Sequence, residues 1–247
     1  MKKLMQLLRD NAAQDRKPLN LVRAEGDANE ATLYLYDVID AYWGISAQMV
    51  AQAIAGLGKD VTLHLRINSP GGDVFEAEAM ATAIRQHPGK TVAHIDGLAA
   101  SAATRVASAA QEVEISEGSF YMIHNAWTIA LGDKRDMTAA AALLDKVDGT
   151  IVADYAKRTG ETPEQIAAWM NDETWFTAQE AVDHKFADRV ASDDAGKASN
   201  ATPRKFNLAA FDKTPKALLE PPKPAPAPDI AAQRAHNERR LRLLQVA

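Results

Sequence analysis

Along "ATLYLYDVI" (Ala31 to Ile39) apolar and polar positions alternate, the period of a strand with one buried face. "ISAQMVAQAIAGLG" (Ile45 to Gly58) changes to helical spacing and closes on glycine. The alternation returns in "VTLHLRI" (Val61 to Ile67), and a second helix is expected from about Asp73 to Gln86, stopped by His87-Pro88-Gly89. "KTVAHI" (Lys90 to Ile95) reads as a strand and "SAATRVASAA" (Ser101 to Ala110) as a helix of small residues. "EVEI" (Glu112 to Ile115) and "FYMIH" (Phe120 to His124) read as further short strands. Strand and helix in turn argue for parallel βαβ units, hence an α/β layered fold.

Beyond Gly132 a long helix is predicted from about Met137 to Lys157, with Leu144, Val147, Ile151 and Tyr155 on one apolar stripe. Two short helices follow, each announced by a capping box: Thr162-Pro163-Glu164-Gln165 and Thr177-Ala178-Gln179-Glu180. The chain therefore divides into a polar N-terminal arm (1–30), a folded domain (31–191) and a tail (192–247). From Ser192 the composition shifts to Asp, Ala, Lys, Ser and Asn, too poor in apolar residues to bury a core. "EPPKPAPAPD" (Glu220 to Asp229) is a spacer of polyproline character, and Ile230 to Val246 is expected to form a short basic helix. The tail is expected to be dispensable for folding.

Composition removes several function classes. The 247 residues are 47% apolar and 25% charged, an ordinary globular balance, and the net charge of −5 offers no basic field for nucleic acid or an acidic membrane surface. With no cysteine there is no disulfide, no thiolate nucleophile and no Cys-ligated zinc. The opening "MKKLMQLLRDN" does not read as a signal peptide: its apolar run is broken by Gln6 and ends at Arg9 without a small-residue cleavage site. No stretch reaches the length of a membrane span, and a cytoplasmic protein is expected.

Four places carry candidate chemistry. In "INSPGGDV" a strand stops in Gly71 and Gly72 directly before a helix, either an ordinary tight turn or bare backbone offered to a ligand. Ser101, in "DGLAASAAT", stands at a helix start among Ala99, Ala100, Ala102 and Ala103, so nothing bulky blocks its hydroxyl. A serine there either caps the helix or acts as a nucleophile beside free N–H groups. His124 ends an apolar strand, where a rigid element can aim it as a general base. The acidic pair Asp172-Glu173 lies in the turn between the two capped helices, either solvated or orienting an imidazole. There is no HExxH and no clustered set of metal ligands, so neither metal nor cofactor is expected, and the esterase elbow G-x-S-x-G is absent because Gly97 lies four residues before Ser101.

In order, "INSPGGDV", "DGLAASAAT", "YMIH" and "DETWFTAQEAVDHKFAD" resemble the proteolytic subunit of the Clp protease, from about Thr32 to Val190. The resemblance implies the layered βαβ repeats shared with the crotonases and a protruding helical handle by which rings stack. It implies Ser101 as nucleophile, His124 as general base, and the N–H groups of Gly72 and Ala102 as an oxyanion hole. Counting back from Thr177-Ala178, the family's catalytic aspartate falls on Glu173, with Asp172 one position earlier. Polypeptide substrates and a homo-oligomeric ring or double ring follow. The arm does not match the family's axial loops, which puts docking to an ATP-driven unfoldase in doubt, and "DHKFAD" replaces a usual tyrosine-glycine pair. With the long proline-rich tail, these departures resemble phage head-maturation proteases, whose partners are capsid and scaffold proteins. A housekeeping Clp subunit, a crotonase-like acyl-CoA enzyme and an inactive scaffold-binding homologue are the alternatives.

Overall fold

The computed structural model describes residues 19, 21–23, 29–191, 206–208 and 211–219. β1 (Leu21–Arg23) runs antiparallel to β2 (Glu30–Leu35). From there β3 (Thr62–Ser69), β4 (Thr91–Ala100), β5 (Glu112–Ile115) and β8 (Arg189–Val190) follow side by side, all parallel to β2. The alternation read from the sequence is the burial pattern: Ala31, Leu33 and Leu35, then Leu63, Leu65 and Ile67, face one side. They share a core with Val50 and Ile54 of α1 (Ala47–Ile54), Met80 and Ile84 of α2 (Val74–Arg85), and Val106 of α3 (Ala102–Ala107).

The other face of the sheet is polar and paired. His64 Nδ1 lies 2.9 Å from His94 Nε2; His64 also contacts Glu30, and His94 Nδ1 lies 3.2 Å from Glu114. Beside this row Arg66 grips Asp96 with two bonds of 2.8 and 2.6 Å, and Tyr36 donates to the same carboxylate. Such a face keeps the strands' alternate positions satisfied without a second apolar layer.

β4 is the organising strand. Val92–Ile95 pair with β5, while Leu98–Ala100 leave it and pair with β6 (Phe120–Ile123), which is antiparallel to β7 (Thr174–Thr177). This differs from the sequence expectation, which ended the strand at Ile95. "DGLAA" has low strand propensity, and its pairing with β6 on one side, and of Ala99 with Ser69 on the other, overrides that preference. β7 and β8, too short to show a period, were not expected either.

α4 (Lys134–Thr159) starts at Asp133, whose carboxylate and Asp136 form a reciprocal capping box, and stops at Gly160 in the left-handed region (φ 80°). Of the expected stripe only the C-terminal half is core: Ile151 and Tyr155 are buried, whereas most residues from Lys134 to Lys146 are exposed. α5 (Pro163–Asn171) is capped by Thr162, whose hydroxyl accepts from the Gln165 N–H, and Thr177 and Glu180 close the full box on α6 (Ala178–Asp183). Among the described residues no helix is long and apolar enough to cross a membrane.

Both terminal regions contain ordered residues. Leu21–Arg23 of the expected arm add a strand to the sheet. In the tail, Leu208 is buried, the Phe211 N–H donates to the Leu208 carbonyl, and Thr214 Oγ1 donates to the same carbonyl at 3.2 Å. The chain falls into two units, one ending at Thr214 and one beginning at Pro215, whose described residues carry α7 (Lys216–Leu219). The proline spacer and the expected basic helix from Ile230 lie outside the described residues.

Candidate active site

β4 delivers Ser101 at its end, and α3 begins at the next residue. The turn between them is tight enough to hold Ser101 at φ 54°, ψ −127°, a region that costs a non-glycine residue roughly 1–3 kcal/mol. Surrounding bonds enforce it. The Ser101 N–H donates to the Met122 carbonyl at 2.9 Å, and Thr104 Oγ1 donates to the Ser101 carbonyl at 2.5 Å while also contacting the buried Tyr155 hydroxyl. Arg105, one residue further along α3, is buried against Glu78 and Asp154. The Ser101 hydroxyl makes no cap bond to its helix. It points instead to His124, whose Nε2 lies 2.6 Å from Oγ.

His124 follows directly on β6, and the pairing of β6 with the end of β4 is what brings the two residues together. The ring is half-buried, and this desolvation holds its pKa below the ordinary 6.5, against an opposite pull from the Glu173 carboxylate. At neutral pH the imidazole is therefore uncharged and can accept the serine proton through Nε2.

Glu173 stands at the joint of α5 and β7 with φ 49°. Its Oε1 accepts from Trp175 Nε1 at 3.1 Å and from the Lys213 N–H at 2.7 Å; its Oε2 accepts from the Asp212 N–H at 2.8 Å. Among the described residues no hydrogen bond joins Glu173 to His124, although its charge is felt there. Asp172 is the C-cap of α5, largely exposed, and its carboxylate meets the Lys213 ammonium. The Phe211 ring stands perpendicular to the His124 ring with centroids 5.4 Å apart, and a second edge contact joins it to Trp175 at 5.7 Å.

The glycine pair lies against the serine turn. Gly71 has φ 90°, and a Cβ there would come within 2.5 Å of the Ala100 carbonyl and 2.9 Å of both Ala102 N and Ser101 Cβ. Gly72 has φ 147°, and its Cβ would meet the Ile39 carbonyl at 2.0 Å. Ile39 clamps this loop by donating to the Gly71 carbonyl and accepting from the Asp73 N–H, at 2.9 and 2.8 Å. Among the described residues the Gly72 N–H and the Ala102 N–H have no hydrogen-bond partner. The latter is the first N–H of a helix, which has no intrahelical acceptor.

The structure thus joins Ser101 to His124 directly, sets Gly71–Gly72 and Ala102 around them, and leaves Glu173 near the histidine but bonded elsewhere. Sequence reasoning missed Trp175, Phe211, Asp212 and Lys213. Trp175 lies two residues from Glu173 in "DETWF", a signal that was available; the other three lie in a polar tail with no local mark of function.

A family model described as Clp protease matches residues 18–194. The ATP-dependent Clp protease proteolytic subunit 3 of Rhodococcus jostii is 32% identical over 164 residues, covering 66% of this chain and 80% of that one. The subunit 3 of Streptomyces coelicolor is 28% identical over 167 residues, covering 66% and 76%. Among solved structures, a ClpP1 mutant from Listeria monocytogenes superposes with a TM-score of 0.59 at 19% identity, covering 77% of this chain and 97% of that one. The match over most of the folded region, on a fold shared with a ClpP structure, makes this chain a member of the Clp protease family.

Proposed function

We propose that the chain is a serine endopeptidase in which Ser101 is the nucleophile, His124 the general base and Glu173 the orienting acid. The observation that carries the reading is the 2.6 Å contact between His124 Nε2 and a strained Ser101 whose hydroxyl is not used as a cap. In the first step Oγ attacks the scissile carbonyl carbon as its proton passes to Nε2. The charge that develops on the carbonyl oxygen is met by the N–H groups of Gly72 and Ala102. His124 then gives the proton to the leaving amine, and water, activated by the same ring, releases the acyl group from Ser101. Glu173 stabilises the imidazolium by charge. The sheet supplies the rigid frame, and the glycine pair brings backbone close enough to act.

The exposed apolar residues Trp127, Ile129, Leu131, Met137 and Leu143 lie on and before the exposed half of α4, and they support assembly into a ring or double ring through this handle. The long extension beyond the matched region supports the more specific reading of a head-maturation protease acting on phage capsid and scaffold precursors. The relatives' name, ATP-dependent subunit, favours a second reading in which an ATP-driven unfoldase feeds the chamber. Incubating the protein with capsid and scaffold precursors, and separately with an unfolded protein plus ATPase, compares the two. Ser101→Ala should abolish cleavage in either case, and in a comparable triad the loss was about a million-fold. Cleavage that survives the substitution contradicts the mechanism.

A further inference from the structure

The tail segment near the catalytic pair is bonded to groups that the proposed mechanism needs, and this inference rests on that mechanism. Phe211 sets its ring against His124 and Trp175. The next two N–H groups, of Asp212 and Lys213, take both oxygens of the Glu173 carboxylate, and the Lys213 side chain pairs with Asp172. The segment's described residues are joined to one another, with Phe211 N–H and Thr214 Oγ1 both donating to the Leu208 carbonyl, and Leu208 is buried. An aromatic ring on the histidine and two consecutive N–H groups on a carboxylate are interactions that a peptide makes with a receptor.

We propose that His124, Trp175 and Glu173 form a docking site for an aromatic-bearing peptide, and that Phe211, Asp212 and Lys213 of the chain's own tail are its resident occupant, a strap that holds the peptidase shut. The strap acts in two ways. Phe211 covers one side of the general base, so a substrate must displace it. The Asp212 and Lys213 N–H groups, with Trp175 Nε1, satisfy the Glu173 carboxylate so that it makes no hydrogen bond to His124. Freed from the strap, Glu173 can turn its charge fully onto the imidazole. The anchoring is weak enough to release, because the Lys213–Asp172 pair is exposed and screened by salt.

The test uses the full chain carrying Phe211→Ala together with Lys213→Pro, which removes the ring and one donor to Glu173, beside Phe211→Ala alone and wild type. Two readouts are taken: the rate at which a fluorophosphonate acylates Ser101, and the His124 pKa from its imidazole proton resonances. The proposal expects acylation at least ten-fold faster in the double variant, a smaller increase in Phe211→Ala, and a His124 pKa above the wild-type value as Glu173 is released. If the double variant does not fold, Phe211→Ala alone decides by the same direction. Equal labelling of wild type and variants at an unchanged His124 pKa overturns the strap while leaving the peptidase reading intact. Slower labelling also overturns it, because the segment then completes the site. Absence of labelling in every protein is the failure of the peptidase reading, and the His124 pKa still decides the strap: a rise supports it and no change overturns it.

Discussion

At the scale of residues, the proposed chemistry needs backbone that is bare and one histidine that is neutral. Gly72→Ala places a Cβ 2.0 Å from the Ile39 carbonyl at a φ of 147°, so clash and strain add. We expect a loss of more than about 2 kcal/mol in denaturant unfolding, with peptide hydrolysis falling as the N–H moves. Gly56→Ala, where a Cβ meets nothing within 4 Å, is the control and should be neutral or slightly stabilising. For His124, burial lowers the pKa, so the base stays deprotonated below 6.5 and the acid limb of kcat/KM should lie on the acid side of that value. Glu173→Gln removes the charge that pulls the pKa upward. Its acid limb should therefore move further down in pH while the plateau falls, by up to roughly 10⁴-fold as for other triad acids. An acid limb that stays in place would show that the Glu173 charge does not reach the imidazole. Asp172→Asn should leave the limb unmoved, since that carboxylate faces Lys213.

At the scale of elements, the polar sheet face carries its own pH dependence. His94 is pushed down to about 4 by burial first, and then by His64, Arg66 and Arg189. Its folded-state pKa thus lies below the unfolded value, so the unfolded chain binds more protons and stability falls as pH drops from about 6.5 towards 4. The full loss is about 3 kcal/mol at most, and the Glu114 carboxylate 3.2 Å from Nδ1 reduces it by favouring the charged ring. His94→Gln should flatten this part of the stability-against-pH curve; an unchanged slope places the acid sensitivity elsewhere. The elements themselves were legible where periodicity was long: β2, β3, α1 and α2 lie within a few residues of their expected bounds. Ser101, His124 and the glycine pair were legible too, because each ends or follows a regular element. The extension of β4 through Gly97 was not, since only its pairing with β6 makes a strand of "DGLAA". Nor was the engagement of Glu173 by the tail, because two of its three donors lie about forty residues later in a stretch whose composition resembles a linker.

At the scale of the whole molecule, the exposed half of α4 and the apolar residues before it require an explanation that one subunit does not provide. Leu131 is 85% exposed, and Trp127 and Leu143 about half, an unusual cost for a chain that stays single. Light scattering at micromolar concentration should find a closed oligomer, and Leu131→Asp with Leu143→Asp should shift it towards smaller species. A clean monomer contradicts assembly through the handle. The central claim, however, is that Ser101 and His124 act as one nucleophilic unit, and that claim is tested most directly by mass-spectrometric mapping of a fluorophosphonate adduct on wild type and on His124→Ala. The account expects a single adduct on Ser101 in wild type, formed at least a hundred-fold more slowly without the imidazole. An adduct at another residue, or one on Ser101 formed equally fast in His124→Ala, contradicts it.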